Sequence, residues 1–262
     1  MKLSVNKFRV FAIKEFTENL RTKKLFSIAC VFIFIALLSV LMARFVGEIF
    51  ELLLSAEGGT PFIIEIPDPV WTDSYAQLYS NLSEIGLIVF IMMYMGVILK
   101  EKNTGSIDLM MSKGLSPATF VLAKFFVAAV IALVTLFLAV LITYVYTLIL
   151  FDYGGQIGNV LCGAMSFGVF LLLMLGVTLM WSAIAKSTAI SAVLGLVSYF
   201  VIRLFDIIPQ IGQFMPGRLI GHSTNLSFGA TVENMVIQIL VAIAATILCL
   251  CIAVHVLKHR EG

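Results

Sequence analysis

Residues 122–150 read Leu-Ala-Lys-Phe-Phe-Val-Ala-Ala-Val-Ile-Ala-Leu-Val-Thr-Leu-Phe-Leu-Ala-Val-Leu-Ile-Thr-Tyr-Val-Tyr-Thr-Leu-Ile-Leu, and this stretch decides the fold. Lys124 is its only charged residue and lies near its beginning. A helix needs about 20 mainly apolar residues to cross the roughly 30 Å of a bilayer's hydrocarbon core. The stretch is longer than that, so it predicts a membrane-spanning helix.

The composition of the whole chain agrees with a membrane protein. Of its 262 residues, 61% are hydrophobic and 12% are charged, whereas soluble domains are about 25% charged. A globule of this size has too little interior to hide so much apolar surface. We therefore exclude a soluble enzyme, a disordered chain and a nucleic-acid-binding protein.

Five further apolar stretches predict an all-α polytopic membrane fold with six transmembrane helices. The predicted spans cover residues 25–43, 80–99, 118–150, 160–181, 189–208 and 234–257. A helical stripe upstream of the second span lengthens it towards the N-terminus, through Trp71, Tyr75, Leu78 and Leu82. Residues 1–24 precede the transmembrane domain of residues 25–257, and residues 258–262 form a tail.

Lys and Arg residues are distributed unevenly between the two ends of the predicted bundle. Of the 17 Lys and Arg residues, only Arg44, Arg203 and Arg218 lie on the side away from both termini. Positively charged segments stay on the cytoplasmic side of a membrane. We therefore expect a multi-pass protein of a bacterial or archaeal plasma membrane, with both termini in the cytoplasm.

The two long segments on the outer side differ in composition. Residues 44–84 are acidic and carry turn signals at 58–61 and 66–69, so we expect helical flanks around an irregular tip. Residues 209–232 combine two prolines with many apolar side chains. This combination predicts short re-entrant pieces whose backbone is covered by protein.

Residues 3–24 have the pattern of a basic amphipathic helix that lies in the headgroup plane. The apolar face consists of Val5, Phe8, Ala12, Phe16 and Leu20. The opposite face carries Lys7, Lys14, Glu18 and Arg21. The pattern supports two interpretations equally: an anchor that fixes topology, or a surface for a cytoplasmic partner.

Residues 100–117 predict an ordered helical elbow between the second and third spans. Ser106 is suited to cap a short helix with an apolar stripe of Ile107, Met110 and Met111. Gly114 suits the left-handed position after its end, and Ser116-Pro117 suits the start of the third span. The apolar stripe fits either the bilayer or a groove on another protein, and the pattern alone favours the bilayer.

A few polar side chains fall within the predicted spans and are candidates for a transport pathway or a gate. Arg203 and Asp206 are three residues apart on the fifth span. Their position near its outer end also allows both simply to reach the membrane surface. At a seam between two copies, hydroxyl side chains would favour a lipid, an amphipathic peptide or a hydrophobic drug as substrate: Thr135, Thr143, Thr147 and Ser166.

The sequence contains no Gly-Lys dipeptide and therefore no Walker A loop for nucleotide binding. We expect a chain that is not an enzyme, holds no cofactor or metal of its own and takes its energy from elsewhere. All four cysteines lie within predicted spans, where small apolar packing is the simplest role. The alternative role, soft-metal binding by Cys249 and Cys251, has little support from the sequence.

Three features of the chain together resemble the membrane subunit of type-2 ABC transporters. The first is Lys14-Glu15-Phe16 with the basic residues that follow it. The second, and the most specific, is Glu101-Lys102-Asn103-Thr104-Gly105-Ser106 followed by Ile107–Ser112, Ser116 and Lys124. The third is the apolar outer segment around Pro216. The family usually has Thr where Ser106 stands, and this departure keeps the hydroxyl.

The resemblance implies that residues 101–113 are a coupling helix that docks on a separate ATPase, with residues 3–24 as a flanking interface helix. Glu101 would orient the loop entry and Gly105 would allow a sharp turn. The residues assigned to coupling are Glu101, Thr104, Gly105, Ser106, Ile107, Asp108, Met110 and Met111, with Ile107, Met110 and Met111 as the apolar plug. Those assigned to the interface helix are Lys14, Glu15 and Phe16.

The resemblance also implies an assembly of two permease copies, identical or homologous, with two ATPase subunits that bind ATP and Mg²⁺. Membrane lipid surrounds the assembly, and nucleic acid is not a partner. The leading hypothesis is a permease of an ATP-driven exporter. The alternatives are a self-contained channel or secondary transporter, and a membrane assembly or immunity factor.

Overall fold

A computed structural model describes residues 2–56 and 68–259. Within them every regular element is helical, and six helices are long and apolar enough to cross a membrane. These are α2 (Lys24–Ala56), the broken helix Trp71–Asn103, α7 (Pro117–Phe151), α8 (Ile157–Ile184), α9 (Thr188–Phe205) and α12 (Met235–Lys258). The prediction of an all-α protein with six candidate spans is confirmed.

The second candidate span is built from several segments. They are α3 (Trp71–Asn81), a π-helical turn (Leu82–Gly86), α4 (Leu87–Tyr94) and α5 (Leu99–Asn103). It begins at Trp71, earlier than residue 80, as the upstream stripe indicates. The fifth helix is shorter than predicted: α9 ends at Phe205, before Asp206.

Helix α8 forms the centre of the bundle, with buried side chains along most of its length. It packs against α7, α9, α12 and the short helix α11 (Leu219–Ser227). Gly163 permits the α11 contact, because a Cβ atom there would collide with Ser227 Oγ and the Ser223 carbonyl. The other helices surround this centre and leave many apolar side chains exposed, as a lipid solvent requires.

The short elements begin or end where the sequence signals indicate. Ser116 accepts a hydrogen bond from the Thr119 amide at 3.2 Å and Pro117 is the first residue of α7. The helix α6 (Ser106–Ser112) is followed by Gly114 at φ +80°. The predicted cap is displaced by one residue: Gly105 at φ +69° precedes the helix, and Ser106 is its first residue.

The outer segments contain helical flanks and short helices. Helical flanks extend to Ala56 and from Trp71, and the turn signals at 58–61 and 66–67 lie outside the described residues. Residues 209–227 form α10 (Pro209–Gly212), a 3₁₀ turn (Pro216–Arg218) and α11. Ser166 of α8 donates to the Leu219 carbonyl at 2.9 Å, which fixes α11 on the bundle.

The helix α1 (Lys2–Arg21) packs on the chain with a face that overlaps the predicted apolar face only in part, through the half-buried Phe8 and Ala12. Phe11, Glu15 and Asn19 are buried, whereas Phe16 and Leu20 are 41% and 37% exposed. The side chain of Val5 is not among the described ones. Glu15 lies on the packed face because it pairs with the buried Lys124 of α7.

Candidate functional site: a buried charge network beneath two surface helices

Lys124 is a buried cation that joins three elements. Its ammonium lies 2.9 Å from Glu15 Oε2 of α1 and 2.9 Å from Glu101 Oε1 of α5, while Lys124 itself belongs to α7. The side chains of Lys124, Glu15 and Glu101 are 2%, 5% and 12% exposed. Pairing is what makes burial of these charges tolerable, because an isolated charge in such a site costs several kcal/mol.

Lys14 extends this network towards the surface. Its ammonium is 2.9 Å from Glu18, 3.1 Å from Glu15 and 3.3 Å from Glu101. Burial by itself lowers the pKa of Lys14, but the hydrogen bond with Glu18 and the charges of the other two carboxylates outweigh it and raise this pKa. Lys14 is therefore a permanent cation over the physiological range.

Two aromatic rings also lie beside the ammonium of Lys124. It lies 5.1 Å from the centre of the Phe120 ring and 5.9 Å from that of Phe11. A cation over an aromatic face is stabilised by the ring quadrupole.

Three carboxylates of this network lie close enough to offer ligands to a metal ion, namely Glu15, Glu18 and Glu101, within 4.8 Å of one another. Their oxygens already contact the ammonium groups of Lys14 and Lys124. Two cations at this distance repel a third. The chemistry of the cluster therefore fits a set of ion pairs rather than a metal site.

The loop that contains Glu101 is held at several points. Lys102 donates to the Ala183 carbonyl at 3.0 Å, at the end of α8. Lys7 of α1 donates to the Gly114 carbonyl at 2.7 Å. Thr104 and Ser106 share a hydrogen bond of 2.8 Å across Gly105. The loop is thus joined to α1, α7 and α8.

The helix α6 does not present its predicted stripe to solvent. Ile107 is 5% exposed, and Met110 and Met111 are half-buried against the chain's own core. The exposed face instead carries Asp108, Ser112 and Leu109, the last with 61% of its surface exposed. The i, i+3, i+4 pattern identified the apolar face of α6 correctly. It did not indicate that the chain's own core covers this face.

A mostly apolar groove of about 650 Å³ runs between α1 and α6. Its lining residues are Lys7, Val10, Phe11, Lys14, Met110, Lys113 and Leu115. Val10 is 68% exposed at its edge. The sequence did not single out Val10 and Leu109 as site residues. The spacing of apolar residues along a helix does not indicate which of them a neighbouring helix covers.

The candidate pathway residues lie elsewhere. Thr143, Thr147 and Ser166 are fully buried and Thr135 is almost completely buried. These four side chains therefore face the interior of this chain and not its outer surface. Arg203 and Asp206 form an ion pair of 3.4 Å at the end of the bundle opposite to α1. Arg203 is exposed and Asp206 is largely covered by the turn at Gly217.

Cys30, Cys162 and Cys251 are exposed and Cys249 is buried. Among the described residues, no cysteine belongs to a group of three metal-ligating side chains. Their placement adds no site to the network around Lys124.

Comparison with known proteins places the chain in a family. The family model described as "ABC-2 family transporter protein" matches residues 9–223, which include α1 from Arg9 onward, the charge network and α6. No curated protein matches the sequence.

Proposed function

The chain belongs to the ABC-2 transporter family and is therefore the membrane permease subunit of an ABC transporter, and we propose that it serves an ATP-driven exporter of hydrophobic or amphipathic substrates. As a permease it is a multi-pass membrane transport component and not itself a catalytic enzyme, and the family implies association with an ABC ATPase. The observation that carries the proposal is the network in which Lys124 joins α1 and α5 to a membrane-spanning helix.

The exposed surface of α6 and the groove beside it are the proposed docking site for the ATPase. Leu109 and Val10 offer apolar contacts that are otherwise exposed to water, and Asp108 and Lys113 offer charges around them. An amphipathic helix of the partner fits a groove with an apolar floor and a polar rim. The proposed plug is thus Leu109 with the groove, in place of Ile107.

The charge network is the proposed link between the docking site and the membrane helices. A force on α1 or α6 reaches α7 through Glu15, Glu101 and Lys124 without passing through a flexible loop. Rupture of either ion pair would deprive two buried charges of one of their partners, so the three elements are expected to move together. The ATPase subunits would bind ATP and Mg²⁺. This binding would bring the two ATPase copies together.

A second permease copy is the proposed neighbour within the membrane. Helix α9 exposes apolar side chains along most of its length, and its buried residues are small or aromatic: Ser191, Gly195 and Tyr199. In a monomer, lipid would cover this face of α9. In a dimer, the interface between two such faces would provide an apolar pathway for the substrate. The excess of Lys and Arg on the side of both termini supports a cytoplasmic location for α1 and the termini, and the proposed membrane is the plasma membrane.

The test is association with an ATPase, since this feature separates the proposal from its alternatives. Leu109→Asp in the full-length permease should reduce co-purification of its ATPase at least tenfold, because a charge would be buried at the interface. Ile207→Asp is the matched control, as Ile207 is 74% exposed at the opposite end of the bundle. Equal losses for both variants, or none for either, would refute the docking site.

Transport by the purified permease in liposomes separates the remaining hypotheses. Flux that requires the ATPase and ATP supports the exporter. Flux from the permease alone would favour a self-contained channel or secondary transporter. Neither flux nor stimulation of the ATPase would favour an assembly or immunity factor.

A further inference from the structure

Two buried polar atoms near the charge network lack a hydrogen-bonding partner within the described part of the chain. One is the hydroxyl of Tyr94, the last residue of α4, whose side chain is almost completely buried. The other is Oε2 of Glu101, whose Oε1 carries both ion pairs to lysine. Leaving such atoms unpaired in a protein interior is costly, so each requires an explanation.

Both residues line the same small cavity. It measures about 50 Å³ and is also bordered by Asn19, Lys24, Lys100 and Lys124. A site of roughly 10–15 Å³ on this kind of measure accepts one water molecule if two to four polar groups surround it. The cavity therefore has both the room and the polar partners for ordered water.

We propose that ordered water in this cavity joins the Tyr94 hydroxyl to Glu101, which makes Tyr94 a positioning residue for coupling. The Tyr94 hydroxyl donates to the water oxygen, and the water donates to Glu101 Oε2, which as a carboxylate oxygen only accepts. Lys24 or Lys100 supplies a further donor to the water. The role in coupling rests on the proposed function, whereas the water site does not.

The position of Tyr94 in the second span gives this link a mechanical consequence. The helix is interrupted between Tyr94 and Leu99, where Ser182 of α8 accepts hydrogen bonds from the Ile98 and Leu99 amides at 3.0 and 3.3 Å. Glu101 lies beyond this interruption. A water bridge from Tyr94 to Glu101 therefore connects the membrane part of the span directly with the charge network.

Radiolytic labelling of the intact permease tests the water without any substitution. Hydroxyl radicals form at bound water, so a buried tyrosine that touches it is oxidised despite its low exposure. Tyr79 is an internal control: it is equally buried on the same span, packs closely against Gly163, and its hydroxyl accepts from Ser227 at 3.4 Å. Tyr94 should be labelled several-fold faster than Tyr79, and equal rates would overturn the water site.

Removal of the hydroxyl tests the role in coupling. Tyr94→Phe in the assembled complex should keep the ATPase bound but reduce its stimulation by the permease about 2- to 10-fold, the range expected for one net hydrogen bond. Tyr79→Phe should leave stimulation unchanged. Unchanged stimulation in Tyr94→Phe would overturn the role of Tyr94, while failure of the wild type to bind any ATPase would instead refute the proposed function.

Discussion

Lys124 Nζ and Glu101 Oε1 lie 2.9 Å apart, and this contact joins the third membrane helix to the loop that leaves the second. Glu15 Oε2 is equally close to the same ammonium from α1. A single buried cation thus holds two carboxylates from separate elements. Its removal should therefore have consequences that removal of a surface lysine does not.

Lys124→Met should lower the free energy of unfolding by about 3–5 kcal/mol, because it removes the buried cation and leaves the two carboxylates with only the more exposed Lys14 as a partner. Chemical denaturation of the detergent-solubilised protein measures this change. The control is Lys186→Met, an exposed lysine, for which we expect a change within about 0.5 kcal/mol. A Lys124→Met protein as stable as the control would show that the ion pairs contribute nothing.

Gly105→Ala should be destabilising by about 1–2 kcal/mol, because the residue has φ +69° and an L-side chain is strained in this region. No atom lies within 4 Å of the added Cβ, so the cost is conformational and not a collision. Gly47→Ala provides the opposite case. Gly47 lies within α2 with equally open space around it, and its substitution should be stabilising by about 0.5–1 kcal/mol. Equal effects of the two substitutions, compared in the same denaturation assay, would contradict this assignment.

Ser182→Ala should cost about 1–3 kcal/mol, because the Ile98 and Leu99 amides would lose their acceptor in a buried region. Hydrogen exchange measured by mass spectrometry should detect the effect locally, as faster exchange of the peptide that contains residues 95–99. A variant that keeps wild-type exchange in this peptide would show that the interruption of the second span needs no side-chain acceptor.

The thermal stability of the protein should fall as pH rises from about 4 to 6, through the titration of Asp206. Burial raises the pKa of Asp206 to about 6, although Arg203 and Arg218 act in the opposite direction. The folded state therefore binds a proton that the unfolded state, with its lower carboxyl pKa, has already released. Above about pH 6 the folded state holds an unfavourable buried charge. Below about pH 4 both states are protonated.

Asp206→Asn removes this titration and gives the control. The difference in melting temperature between pH 5 and pH 7 should shrink by about 1 to 3 °C relative to the wild type. The same difference in both proteins would mean that another group causes the pH dependence.

The sequence predicted the elements of the fold better than the contacts between them. The span around Thr135 follows from the length of its apolar stretch, and Ser116-Pro117 and Gly114 follow from local backbone preferences. The Glu101–Ser106 motif located the candidate site, but it did not indicate which apolar residues of α6 remain exposed there. Ile107 and Leu109 are both apolar and two residues apart, and only the packing of α6 decides that Ile107 is covered.

Local patterns are set by neighbours in the chain, so the sequence by itself determined the six apolar helices, the short helix after Gly105 and the asymmetry of charge between the two ends. The meeting of Glu15, Glu101 and Lys124 involves residues separated by up to 109 positions. Only the tertiary structure decided it. The free energy that turns Glu15 inward comes from pairing with a buried lysine on another helix, a term that no local pattern contains.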